Sequence, residues 1–238
     1  MADRRIAALV LCLLPGTRSF APVRCGRLWV APAKCAELPP HGVVEVRLEV
    51  DDFTFLATAE TTPRLHTTTR SMLEWLEQRA PIGRGTCLDY GCGSGILGIA
   101  ALRLGVAAEA ILTDIHEGAV DCAGANAARN GLADRCAAVT NLPAIVPPVP
   151  NADLCVANML AGPLCSVALD IAGRVRDGAD IGLTGFRRSE LASVIYAYGP
   201  YFELDIEGAV EREGWLRLSG IRRAALVSID SLSDSAVM

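Results

Sequence analysis

Between Leu88 and Gly98 the chain reads Leu-Asp-Tyr-Gly-Cys-Gly-Ser-Gly-Ile-Leu-Gly. An apolar run that breaks into Gly91, Gly93 and Gly95 and then resumes with Ile96-Leu97 is a strand turning through a tight loop into a helix. Such a loop lets a ligand press against bare backbone beside a helix N-terminus. Gly93-x-Gly95-x-x-Gly98 also satisfies the dinucleotide fingerprint, and Asp114 lies 21 residues past Gly93, placed to accept hydrogen bonds from ribose hydroxyls. The pattern alone confirms a nucleoside ligand without saying which, and a nicotinamide dehydrogenase remains open.

The residues around this loop alternate in type. The spacing predicts strands at Thr86–Tyr90, Ala110–Asp114, Arg135–Thr140, Asp153–Asn158 and Ala179–Thr184, with helices at Gly95–Leu104, Glu117–Arg129, Pro163–Val175 and Ser189–Tyr198. Gly105 closes the first helix, Asn130-Gly131 stops the second, Pro163 opens the third, and a Pro-rich loop spans Pro143–Pro150. Met72, Leu73, Trp75 and Leu76 fall at helical spacing between Thr67 and Arg79, and Arg27–Val30 and Val43–Leu48 read as two upstream strands. Phe202–Glu211 and Trp215–Ile221 flank Glu213-Gly214 as an antiparallel hairpin. The order implies an α/β layered fold with a mostly parallel sheet.

Composition narrows the classes. The chain has 238 residues, enough for one domain and an appendage, with hydrophobic residues at 51% and mean hydropathy +0.33. Lys plus Arg number 22 against 27 Asp plus Glu, so the net charge is −5 and no basic nucleic-acid face is expected. Aromatic residues at 5% leave few stacking platforms for single strands. The nine cysteines are odd in number and form no C-x-x-C pair, which reads as thiols in a reducing compartment. No apolar run reaches the roughly 20 residues of a membrane span, and no spacing of His, Cys, Asp or Glu calls for a metal.

Asp89 separates the ligand classes. With it the loop reads Asp-x-Gly-x-Gly-x-Gly, which resembles that of S-adenosylmethionine methyltransferases, where an acid suits the cationic end of the cofactor; beside a pyrophosphate the same charge would repel. The run Leu88–Asn130, followed by Val156-Ala157-Asn158-Met159-Leu160-Ala161-Gly162-Pro163-Leu164, is similar to the PrmA-type ribosomal protein L11 methyltransferases, whose fourth strand ends in Asn-Ile-Leu-Ala. Arg27-Leu28-Trp29, His66-Thr67-Thr68-Thr69-Arg70 and Glu211-Arg212-Glu213-Gly214-Trp215 resemble further family segments in the same order, so the likeness covers Arg27 to Arg223.

The resemblance implies a Rossmann-like class I methyltransferase sandwich, with a mostly parallel seven-stranded sheet and a C-terminal antiparallel hairpin, that transfers methyl groups from S-adenosylmethionine to lysine side chains or an α-amino group of a ribosomal protein. In that reading Asn158 stands beside the transferred methyl and holds the incoming amine. Asp89, Gly91, Gly93, Gly95 and Asp114 hold the cofactor, Thr68 and Thr69 close over it, and Asn141 faces adenine. Competing structural roles are helix capping for Asn158, Thr68 and Thr69, and a plain loop position for Asn141. His66 is a shaping residue, His116 a solvent-facing one, and His41 has no recognisable context.

Two segments depart from the family. It writes Phe-Gly-Thr-Gly-x where this chain has Thr61-Thr62-Pro63-Arg64-Leu65, so both glycines are lost, and its N-terminal recognition domain is larger than Gly26–Asp52. At the N-terminus, Arg4-Arg5, the apolar run Ile6–Leu14, and Thr17 and Ser19 before Phe20 follow signal-peptide grammar. Phe20-Ala21-Pro22 resembles the junction of bipartite plastid presequences, against cytosolic or mitochondrial alternatives. The expected divisions are a targeting segment 1–19, a short appendage 20–65, a methyltransferase domain 66–223 and a tail 224–238. Three readings result: an organellar ribosomal-protein methyltransferase, a lysine methyltransferase of another protein, and a non-catalytic nucleoside-binding protein.

Overall fold

The computed structural model describes residues 20–49, 56–57, 64–79, 83–140 and 152–224. The targeting segment, Asn141, Thr61–Pro63, Pro143–Pro150 and the tail beyond Ala224 lie outside the described residues. Along the chain come β1 (Val23–Cys25), β2 (Leu28–Pro32), β3 (Val44–Leu48), β4 (Leu56–Ala57), β5 (Arg64–Leu65) and α1 (Thr67–Glu77). Then follow β6 (Thr86–Tyr90), α2 (Ile96–Arg103), β7 (Glu109–Asp114), α3 (Glu117–Arg129), β8 (Cys136–Thr140) and β9 (Ala152–Asn158). The last part holds α4 (Ala161–Ser166), α5 (Ala168–Arg174), β10 (Val175–Phe186), α6 (Leu191–Tyr198), β11 (Phe202–Arg212) and β12 (Trp215–Arg222).

Seven strands form the main sheet in the order β11-β12-β10-β9-β6-β7-β8. Pairing is parallel from β10 to β8, while β12 lies antiparallel to both β10 and β11. The chain winds from β6 outward to β8, then returns to β9 on the other side of β6. The C-terminal ends of β6 and β9 therefore open a crevice at the topological switch, where ligands of such sheets bind.

Alternation along β6 explains the layering. Cys87 joins an apolar cluster with Met72, Leu73 and Leu76 of α1, Ile99 of α2 and Ala123 of α3, while Leu88 joins the opposite cluster with Leu164, Ile171, Val194 and Tyr198. Each fully buried Leu or Met contributes about 1.5–3 kcal/mol. Both predicted helix stops take the same form. Gly105 N–H bonds Leu102 O at 3.1 Å and Val106 N–H bonds Ala101 O at 2.9 Å, and Gly131 and Leu132 repeat this on Ala128 and Ala127 at 3.0 and 2.9 Å.

The predicted Pro163–Val175 helix is corrected to two short helices. They break at Val167 (φ −99°, ψ 4°), and Val175 is already the first residue of a 12-residue strand, not the predicted Ala179. The register between β10 and β9 shifts between Val175 and Asp180, a stretch that includes Gly178 at φ 76°. The pre-loop strands form a three-stranded sheet, β1-β2-β3, whose Leu28, Val30, Val46 and Leu48 share the cluster of α1–α3. Its β3 side is met by side chains in place of a strand. Asn130 exchanges two hydrogen bonds with Arg47 backbone at 2.9 and 2.7 Å, and Asn126 Oδ1 accepts from Glu49 N–H at 2.7 Å.

Candidate functional site

The glycine loop leaves β6 and starts α2 at Gly95, which caps the helix at φ 76°. A Cβ there would stand 3.0 Å from Ala123 Cβ and one at Gly98 would stand 2.3 Å from Leu112 Cδ2, so only glycine lets α2 seat on β7 and α3. Gly91 and Cys92 N–H groups both bond Thr113 O, at 2.8 and 2.9 Å, and buried Asn126 donates to Ser94 O at 3.0 Å. The loop's shape is thus held by backbone and by one buried amide.

Asp89 is 1% exposed, and its Oδ2 accepts from Gly98 N–H at 2.9 Å. Burial pushes its carboxyl up to about 7, against the pull of the Gly98 and Leu97 N–H groups. Asp114, at the end of β7, accepts from Gly93 N–H and His116 N–H, both at 3.1 Å. His116 is the exposed residue before α3, as its sequence position suggests.

Asp89 and the glycine loop border a cavity of about 210 Å³ at the switch point; Gly95 and Asp114 are not part of its lining, Asp114 standing behind Gly93, whose N–H it holds. Asp89, Gly91 and Gly93 form one wall; Leu65, Thr69, Asn158 and Trp215 form the other; Met159, Leu160 and Gly185 stand between them. Asn158, at the end of β9, donates through Nδ2 to Thr69 Oγ1 at 3.3 Å. It does not cap α4, whose preceding residue Leu160 makes no side-chain cap. Thr68 is not on the cavity wall: it is fully buried, its hydroxyl 2.9 Å from His66 Nδ1. His66, rather than either threonine, caps α1, its ring nitrogen accepting from Thr68 N–H. Burial lowers the His66 pKa, and its ring meets Trp215 edge-on at 5.1 Å.

Neither Gly185 nor Met159 was singled out as a site residue in the sequence. Gly185, at φ 97°, would put a Cβ 2.2 Å from Met159 O, so a glycine inside an apolar strand was the available signal. Of the departing segment, Leu65 is buried against the cavity and Arg64 reaches Glu213 at 3.3 Å. Among the described residues no cluster could hold a metal ion, the eight cysteines are free thiols, and no helix is long and apolar enough to cross a membrane.

A mostly parallel seven-stranded sheet with an antiparallel terminal hairpin and a glycine loop at its switch point defines the Rossmann-like class I methyltransferase fold. Residues 16–223 match the family described as Ribosomal protein L11 methyltransferase (PrmA), and the chain belongs to that family. It is 44% identical over 210 residues to the ribosomal protein L11 methyltransferase of Pseudomonas paraeruginosa, covering 87% of this chain and 66% of that one. The Pseudomonas putida relative is likewise 44% identical over 206 residues, covering 86% and 66%. The chain thus spans somewhat less than two thirds of the length of these relatives. The crystal structure of ribosomal protein L11 methylase from Lactobacillus delbrueckii subsp. bulgaricus superposes with a TM-score of 0.71 at 26% identity, covering 86% of this chain and all of the other. A tRNA methyltransferase of B. subtilis shares the fold at a TM-score of 0.53 and 16% identity.

Proposed function

We propose that the chain is an S-adenosylmethionine-dependent N-methyltransferase acting on amino groups of a ribosomal protein of the L11 type. The observation that carries this reading is the pairing of Asn158 with Thr69 on the wall facing the glycine loop. The residues fit the cofactor. Gly91 at φ 72° and Gly93 at φ 51° present bare backbone to the cavity, Asp89 places an acid on its lining where a cation is to be held, and Asp114, bonded to Gly93 N–H beside the lining, is the carboxylate for ribose hydroxyls. Bound there, S-adenosylmethionine supplies a methyl group already activated on a sulfonium.

The protein's share of the work is alignment and desolvation. Asn158, its donor engaged by Thr69, has an amide oxygen to accept from an amine N–H, and fixing both reactants removes roughly 7–11 kcal/mol of barrier. A lysine with pKa about 10.4 costs about 4.6 kcal/mol to present neutral at pH 7. The apolar lining of Leu65, Met159 and Trp215 favours the neutral amine, and solvent takes the proton.

Isothermal titration of the full chain with S-adenosylmethionine and with NADH tests the cofactor. Micromolar binding of the first alone is expected, weakened about 10- to 100-fold in Asp114→Ala through the lost charged hydrogen bonds. Radiolabelled methyl transfer to ribosomal protein L11 tests the acceptor. A folded chain that ignores S-adenosylmethionine would instead favour the non-catalytic reading. Plastid import is part of the proposal, supported by the Phe20-Ala21-Pro22 junction and tested by the destination of a fluorescent protein carrying the N-terminal segment.

A further inference from the structure

The turn of the β11–β12 hairpin runs against its own local preference. Its central residues, Glu213 and Gly214, lie at φ 51° and 77°, and Glu213 is the one non-glycine at positive φ among the described residues. A two-residue turn of this hand favours Asn, Asp or Gly at the first position. Glutamate offers the turn nothing, but its longer arm offers reach. The carboxylate accepts from the hydroxyl of Thr67, the first residue of α1, and both oxygens lie 3.3 Å from Arg64 Nη2 in β5. Two residues on, Trp215 meets the His66 ring edge-on, and the Arg187 guanidinium lies over the Trp215 ring, 4.4 Å from its centroid. Trp215 and Thr69 stand on the same cavity wall.

We propose that Glu213 is a positioning residue: it ties the hairpin turn to the start of α1, so that Trp215 closes the cavity beside Thr69 and Asn158 and sets the path of the acceptor amine. The acceptor rests on the methyltransferase reading; the clamp itself does not. Glu213 does not line the cavity and acts through Trp215. An unfavourable backbone conformation kept beside a site is how proteins hold such geometry.

Two substitutions in the full chain separate reach from turn preference. Glu213→Asn suits the turn and is too short to reach Thr67; Glu213→Gln keeps both length and an accepting oxygen. Acrylamide quenching of tryptophan fluorescence reads the clamp without cofactor, because Trp29 and Trp75 are only 8% and 5% exposed and Trp215→Phe gives the background. Glu213→Asn is expected to raise the quenching constant about twofold with an unfolding midpoint at or above that of the parent. It is also expected to lower kcat/KM for the acceptor about tenfold with cofactor affinity unchanged, and Glu213→Gln to restore most of both. Unchanged quenching in Glu213→Asn overturns the proposal, as does unchanged acceptor kinetics. If the parent transfers no methyl group to any acceptor, it is the methyltransferase reading that falls, and quenching alone decides the clamp.

Discussion

The glycine side of the cavity and the acceptor side are built in opposite ways. The first is nearly continuous in sequence, from Asp89 through Gly98, and is held by backbone hydrogen bonds to Thr113 and by glycines packed against Leu112 and Ala123. The second draws Thr69, Asn158, Gly185 and Trp215 from separate elements. Its bonds run between side chains, Asn158 to Thr69 across 89 positions and Arg64 to Glu213 across 149. Damage to the glycine side should therefore be felt first in folding and cofactor binding. Damage to the acceptor side should be felt in turnover, with the fold intact.

The largest effect tests the first half of that contrast. Gly95→Val places a β-branched side chain at φ 76° and drives it into Ala123, combining backbone strain with overpacking at about 1–3 kcal/mol each. Urea unfolding should show a loss of roughly 3 kcal/mol or more, or no folded protein. A variant as stable as the parent would mean that the loop is not under steric constraint. The second effect is kinetic. Asn158→Ala should leave the unfolding midpoint and cofactor affinity nearly unchanged while methyl transfer falls about 100-fold, the cost of a misplaced reactant. Equal loss of cofactor binding would erase the distinction between the two walls.

The same contrast explains what the sequence disclosed. Glycine, acid and strand sit within a few positions of one another on the first wall, and only a few residue types satisfy φ > 0 or a 3.0 Å approach, so the constraint is written locally. The helix stops at Gly105 and Asn130-Gly131 were legible for the same reason. Asn158 and Thr69 were found through resemblance, and nothing in either's neighbours predicts their hydrogen bond. Glu213 was legible only as a turn residue, because its partners Arg64 and Thr67 lie across the fold. The break at Val167 and the early start of β10 at Val175 went unseen, since Ala168–Arg174 continues a helical composition and only packing against the sheet ends it. Asn126 and Asn130 meeting the backbone of Glu49 and Arg47 was equally hidden: an asparagine in or capping a helix carries no mark of the chain beside it.

The smallest predicted effect asks whether the glycine side is only scaffolding. Asp89 has a folded pKa near 7 against an ordinary 3.8, raised first by burial, so between about pH 4 and 7 the folded chain holds a proton that the unfolded chain has lost. Its contribution to stability therefore falls as pH rises through that window, by at most about 1.4 kcal/mol per pH unit, and levels off above it. Asp153 and Asp170, each paired with arginine and held below 3.8, act in the opposite sense, their contribution being lost as pH falls below about 4. Asp89→Asn keeps an oxygen for Gly98 N–H and removes the charge. Without cofactor, it should match the parent near pH 4, exceed it in urea unfolding at pH 8, and flatten the slope between. A pure scaffold would have no use for the charged form, so the variant should also bind S-adenosylmethionine more weakly at pH 8. If it is more stable and binds as tightly, Asp89 serves only to seat Gly98, and the cationic end of the cofactor is held by other groups.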